Sequence, residues 1–166
     1  MKNARPILGL TMGDPAGIGP EICLRALREP NVLARCTPVL FGDVAVLNRV
    51  DQAMGNAGVD CRVVSIGDQI DFSAINEPMV VDCKSIDAAS ITPGTISAAC
   101  GKAAYCYIED AIKAALAGKI DGVVTAPIHK ESLHLSGVKF PGHTEIFTAL
   151  TGTKRSCMML YSDKLK

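Results

Sequence analysis

The sequence predicts an α/β protein with three layers, αβα, around a mostly parallel sheet. Short continuous apolar runs alternate with stretches of helical hydrophobic period, and strands that alternate with helices form a parallel sheet covered on both faces. Glycine-rich or proline-bearing turns join several of these runs to the helix behind them. Hydrophobic residues make up 48% and charged residues 20% of the chain, with a mean hydropathy of +0.25, which excludes a disordered protein. The 166 residues are read as one α/β unit, residues 1–166.

Residues 6–12 form a continuous apolar run, as in a strand with both faces covered. Gly13 to Gly19 is a glycine-rich turn, and Pro20-Glu21 opens a helix over about 20–28. Proline suits the first helical position, where its missing N–H would lack a partner anyway, and Glu21 complements the positive end of the helix dipole. Residues 38–42 read as a second buried strand, followed by a helix at about 43–57 that ends near Gly55 or Gly58. Short strands are expected at 60–66 and 79–82, with polar connections at 67–78 and 83–94. The clearest helix spans about 95–117. Ile96, Ala99, Cys100, Ala103, Tyr107, Ile108, Ala111, Ala115 and Leu116 line one broad face, and Gly118 stops it. A strand at 120–127, a short helix at about 129–135, a helix at about 144–151 and a last strand at about 156–161 complete the pattern.

Composition narrows the partners. The chain carries 17 basic and 17 acidic residues, three histidines and no tryptophan, and aromatics are 4%. A balanced charge and few aromatics leave no general electrostatic grip on nucleic acid or anionic lipid and no platform for stacking bases. No apolar run approaches the ~20 residues that span a bilayer. The first run breaks at Gly13-Asp14-Pro15, which gives no secretory signal. The expectation is a cytoplasmic protein with neither nucleic-acid nor membrane partner. The cysteines, Cys23, Cys36, Cys61, Cys83, Cys100, Cys106 and Cys157, lack ligand spacing and read as buried reduced thiols.

In α/β folds, ligands sit beyond the carboxyl ends of the strands. Three segments there carry chemistry. In Thr11 to Glu21 the glycines admit a ligand to the backbone and the following helix offers N–H groups to an anion, but the spacing matches neither the dinucleotide fingerprint nor a P-loop. Asp14 in this segment reads foremost as a turn residue. In Thr125-Ala126-Pro127-Ile128-His129-Lys130, His129 and Lys130 sit at the mouth of the sheet; Lys130 suits a phosphate or a reacting hydroxyl, and a solvated helix start is the alternative. In Phe140-Pro141-Gly142-His143-Thr144-Glu145, the Pro-Gly turn puts His143 at a helix start, where it and Thr144 suit a substrate hydroxyl or carboxylate. A helix N-terminus is also expected to lower the pKa of His143. His134 reads as surface, and the histidine spacing places no metal on this chain.

Together the segments resemble a known family. Thr-Met-Gly-Asp-Pro-Ala-Gly-Ile-Gly-Pro-Glu at 11–21 resembles the opening of the 4-hydroxythreonine-4-phosphate dehydrogenase family of pyridoxal phosphate biosynthesis. Thr125-Ala-Pro-Ile-His-Lys and Pro141-Gly-His-Thr-Glu resemble two later stretches in order, and Met158-Met159-Leu160 the strand that follows. The resemblance implies a fold like the isocitrate and isopropylmalate dehydrogenases and active sites at a homodimer interface. It implies oxidation of the 3-hydroxyl of a phosphorylated hydroxy acid by NAD (or NADP), assisted by a divalent metal (Zn, Mg or Co), followed by loss of carbon dioxide. His143 and Thr144 match the family's substrate-binding pair; Asp14, Lys130 and His129 are further candidates. The leading substrate is 4-phosphohydroxy-L-threonine, and the alternatives are 4-phospho-D-threonate and 4-phospho-D-erythronate. The metal ligands are expected beyond residue 166, so the chain is read as the N-terminal part of such an enzyme. A non-catalytic ligand-binding or dimerising fragment is the reading from another class.

Overall fold

A computed structural model of the chain describes residues 5–162. Residues 1–4 and 163–166 lie outside it. Strand β1 (Ile7–Thr11) is followed by α1 (Gly19–Ala26), a one-turn helix α2 (Pro30–Leu33), β2 (Thr37–Gly42) and α3 (Val44–Ala53). Then come β3 (Arg62–Ser65), β4 (Met79–Asp82), the long α4 (Ala98–Leu116), β5 (Gly122–Thr125), α5 (Lys130–Leu135) and α6 (His143–Thr151).

The sheet has five strands in the order β3-β4-β2-β1-β5, and every pairing is parallel. The register brings three strand ends level, since Thr11 stands opposite Phe41 on one side and Thr125 on the other. β2 is buried at all six positions, because a central parallel strand is covered by helices on both faces. Its Val39, Leu40 and Phe41 join Met12, Leu24, Leu47 and Met79 in the main core.

The amphipathic pattern of α4 explains its central place. Ala103, Tyr107 and Ala111 face the main core, while Ile108 and Ile112 join Leu133 of α5 and Ile146 of α6 in a second, smaller apolar cluster. Gly101 brings α4 and α5 into backbone contact: a Cβ there would lie 2.0 Å from the Ser132 carbonyl oxygen. At the far end of the sheet, Arg28 holds Asp51 with two parallel hydrogen bonds of 2.6 and 2.9 Å. Asp51 is fully buried and also accepts from the Asn56 side chain and the Gly58 N–H, which closes the loop after α3.

The structure departs from the sequence reading in places. Residues 156–161 form no strand. A strand exists through its ladder, and no described strand lies beside this segment, so its apolar residues Met158 to Tyr161 are between 66 and 83% exposed. Ile96, Ala99 and Leu116 do not join the buried stripe: Ile96 precedes the helix, which begins only at Ala98, and Ala99 and Leu116 lie at its two ends and face solvent. The helix at 43–57 ends at Ala53, where Gly55 leaves the helical region with φ +86°. Short 3-10 turns at Phe72–Ala74 and Ala88–Ser90 interrupt the segments read as connections, and α2 lies in a stretch where no element was expected. Four cysteines are buried as expected, Cys61 and Cys106 partly so, and Cys157 is exposed.

Candidate functional site

The loops after β1 and β5 are laced together. Gly13 has φ +74°, and a Cβ on it would lie 2.3 Å from the Pro127 carbonyl oxygen; that same oxygen accepts from the Asp14 N–H at 3.0 Å. Only glycine fits such a position. Because β2 lies on one side of β1 and β5 on the other, the crevice between these loops is a topological switch point, where open α/β sheets bind ligands.

Asp14 is buried, and its Oδ1 accepts from the Ala16 N–H at 2.8 Å, the turn-forming role expected for it. The Ala16 carbonyl accepts from the Gly94 N–H at 2.7 Å, which draws the 94–96 segment onto the glycine-rich loop. The result is a cleft of about 230 Å³ lined by Asp14, Gly17, Ile18, Gly94, Ile96 and His129 among others. His129 caps α5 through Nδ1, which accepts from the Ser132 N–H at 3.3 Å. The Ser132 hydroxyl accepts from the Ser97 N–H at 3.2 Å and so ties α5 to the start of α4.

A second cleft of about 470 Å³ lies beyond Pro127 and Ile128, which line both. Lys130, His143, Thr144, Glu145 and Met158 also line it. The residues come together for local reasons. Phe140 stacks on Tyr105 of α4, with centroids 6.3 Å apart and planes 12° from parallel, and so steadies the Pro141-Gly142 turn. Gly142 then opens α6 with no side-chain cap, which leaves the first N–H groups of the helix without a side-chain partner. Lys130 reaches toward the same point: a Cβ on Gly142 would lie 4.0 Å from its Cε and 3.5 Å from a Glu145 carboxylate oxygen. Among the described residues, Lys130 is in no ion pair.

His143 is the first residue of α6, and its Nε2 is buried with no hydrogen-bond partner among the described residues. Its pKa is lowered from the ordinary 6.5, as expected, but the cause is burial. The expected site residues therefore divide. Lys130, His143 and Thr144 share one cleft; Asp14 and His129 line the other. His134 is exposed, as expected, and lines a separate hollow with Lys139. Ile18, Ile96, Gly94, Glu145 and Met158 line the clefts without having been candidates. For Gly94 the Pro-Gly turn was the available signal, but its meeting with Ala16 is tertiary. Among the described residues, no group of three His, Cys, Asp or Glu is placed to hold a metal ion, so those residues do not by themselves fit one.

A parallel sheet with two clefts beside its switch point, each apolar for the most part and carrying a few polar side chains, defines an open α/β protein. The comparisons name the family: the chain belongs to the one described as pyridoxal phosphate biosynthetic protein PdxA, matched over residues 34–166. It is 39% identical to the D-threonate 4-phosphate dehydrogenase of Cupriavidus necator, over all of this chain and 49% of that protein. A crystal structure of a 4-hydroxythreonine-4-phosphate dehydrogenase from Burkholderia phymatum superposes with a TM-score of 0.83 at 38% identity, over 98% of this chain and 48% of that one. The 4-hydroxythreonine-4-phosphate dehydrogenase of Klebsiella pneumoniae gives 0.80 at 32% identity, over 99% and 49%. The chain spans about half the length of these relatives. The family is one of dehydrogenases, and the α/β fold matches their solved structures.

Proposed function

We propose that the protein acts as a dehydrogenase on a four-carbon hydroxy acid phosphorylated at its fourth carbon, with NAD or NADP as acceptor. The observation that carries this reading is the convergence of Lys130, His143 and Thr144 on one cleft, with the Nε2 of His143 buried and without a hydrogen-bond partner among the described residues. The C3–H bond gives up a hydride and the 3-hydroxyl gives up its proton to solvent, leaving a ketone; the 3-keto acid then loses carbon dioxide. When bound, the oxidised nicotinamide supplies the hydride acceptor. In this chain, the Lys130 ammonium pairs with the phosphate, and the uncapped N–H groups of α6 receive an anionic oxygen. His143, held neutral by burial, and the Thr144 hydroxyl bind the reacting hydroxyl and fix its orientation. The complete site is read as lying at a homodimer interface.

The 39% identity across the whole chain supports D-threonate 4-phosphate as the substrate. The similarity to solved 4-hydroxythreonine-4-phosphate dehydrogenases supports 4-phosphohydroxy-L-threonine, the expectation from the family resemblance, as the second reading. The two differ at C2, hydroxyl against amino. The test mixes the chain with NAD or NADP, Zn, Mg or Co, and each substrate in turn, and follows reduced nucleotide by absorbance. The expected result is turnover of D-threonate 4-phosphate at least ~10-fold faster than of the amino compound, as a hydrogen-bonded C2 group requires. No turnover of either, with the complete Cupriavidus relative active beside it, would overturn the catalytic reading. What would then remain is a binder of phosphorylated ligands that does not turn them over.

A further inference from the structure

We infer that a cavity of about 240 Å³ between α1 and α3, at the back of the glycine-rich loop, binds a small apolar α-amino acid in its zwitterionic form. The inference goes beyond the dehydrogenase reading and does not rest on it, since the cavity shares no lining residue with the Lys130–His143 cleft.

The walls come from three parts of the chain. Pro15, Ala16 and Gly17 carry the loop over one side of the cavity. The Gly94 N–H donates to the Ala16 carbonyl at 2.7 Å, which brings Pro93 to the rim. Val50, Ala53 and Met54, at the end of α3, supply an apolar floor. A pocket for a whole drug-sized ligand measures about 300–1,000 Å³, so this one suits a smaller molecule.

Two charged side chains line the cavity, Glu21 on the first turn of α1 and Arg49 on α3, and they are opposite in sign. They stand too far apart to pair with each other, and neither is in an ion pair among the described residues. Arg49 is fixed through Nη1, which donates to the carbonyl oxygens of Ala88 at 2.5 Å and Ile91 at 3.1 Å. Its Nη2 makes no hydrogen bond to the described residues. The Oε2 of Glu21 is buried, with no hydrogen-bond partner among them. The dipole of α1 explains an acid at this position, but an exposed carboxylate would serve the dipole equally well. Burying an oxygen without a donor is costly, and a ligand that brings the donor recovers the cost.

An α-amino acid meets each of these features. Its ammonium offers donors to Glu21, its carboxylate takes the remaining N–H groups of Arg49, and its side chain lies on the apolar floor. Its two charges are joined through a single carbon, so it bridges an acid and a base that do not reach each other. A simple cation would leave Arg49 unanswered, and a simple anion would leave Glu21 so.

The test is saturation-transfer NMR on the 166-residue chain with L-leucine. Parallel samples hold L-leucinamide, which lacks the carboxylate, and 4-methylpentanoate, which lacks the ammonium. The expected result is saturation of the leucine methyl protons, with binding at least ~10-fold tighter than that of either analogue. Glu21→Gln removes the charge at nearly constant shape, and Ala53→Trp fills the cavity from an exposed helix end. Each is expected to weaken binding at least ~10-fold with the thermal midpoint held. Should Glu21→Gln lower the midpoint, Ala53→Trp decides alone. Absence of saturation, equal binding of either analogue, or binding indifferent to Ala53→Trp would each overturn the assignment. Failure of the turnover assay with L-leucine still bound in this way would leave the site standing.

Discussion

His143 has a ring nitrogen that folding buries without a hydrogen-bond partner among the described residues, and this has a pH signature. Its pKa in the folded chain lies below 6.5, so above that pH the ring is neutral in both states and its contribution is complete. As pH falls below 6.5, the unfolded chain takes up the proton first and stability declines, until the folded chain is protonated too. Urea unfolding at about pH 7.5 and about pH 5.5 is expected to show this loss in the native chain and its absence in His143→Asn. Asp51 works over a different range. Hydrogen bonds from Arg28 hold its carboxyl at about 2, against an ordinary 3.8, so its contribution is complete above the ordinary value and fades as pH falls toward 2. Arg28→Met leaves Asp51 as an unpaired buried charge and is expected to cost about 3 kcal/mol near neutral pH, measured by urea unfolding. An unchanged midpoint would contradict the role given to the pair.

α4 is the element on which both halves of the Lys130–His143 cleft are hung. Gly101 admits the backbone of α5, and Tyr105 carries Phe140 and with it the turn before α6. Gly101→Ala would set a methyl 2.0 Å from the Ser132 oxygen, which forces α5 and Lys130 away. The expected cost is about 1–3 kcal/mol in urea unfolding, despite the better helix propensity of alanine, with weaker ligand binding beside it. Most helices and buried strands were legible in the sequence, because a 3.6 period and a continuous apolar run each leave a local mark. The strand expected at 156–161 carries the same mark, yet pairing requires a neighbour that no local pattern reports. The candidate site was legible as residue types at loops and helix starts: Asp14, His129, Lys130, His143 and Thr144 all line clefts. Their division between two clefts was not, because Pro127 and Ile128 become a common wall only once β1 and β5 are adjacent. Ile18 and Ile96 escaped notice for the same reason.

For the whole molecule, the order β3-β4-β2-β1-β5 is fixed by contacts between residues far apart in sequence, such as Ile7 with Thr37 and Leu8 with Gly122. That order makes the crevice beside β1 a binding place. The chain is expected to unfold as one unit, in a single transition seen alike by circular dichroism and by calorimetry. Limited trypsin digestion is expected to cut first after Lys154 or Arg155, in the exposed segment that follows α6, before any site inside the sheet layer. An early cut near Arg62 would contradict the packing described. The central claim is that Lys130 and His143 form one binding cleft for a phosphorylated hydroxy acid. Calorimetric titration of the chain with D-threonate 4-phosphate, without nucleotide or metal, tests it most directly. Saturable binding that falls at least ~10-fold in both Lys130→Ala and His143→Ala, with thermal midpoints held, is the predicted result. No binding, or binding that survives both substitutions, would contradict it.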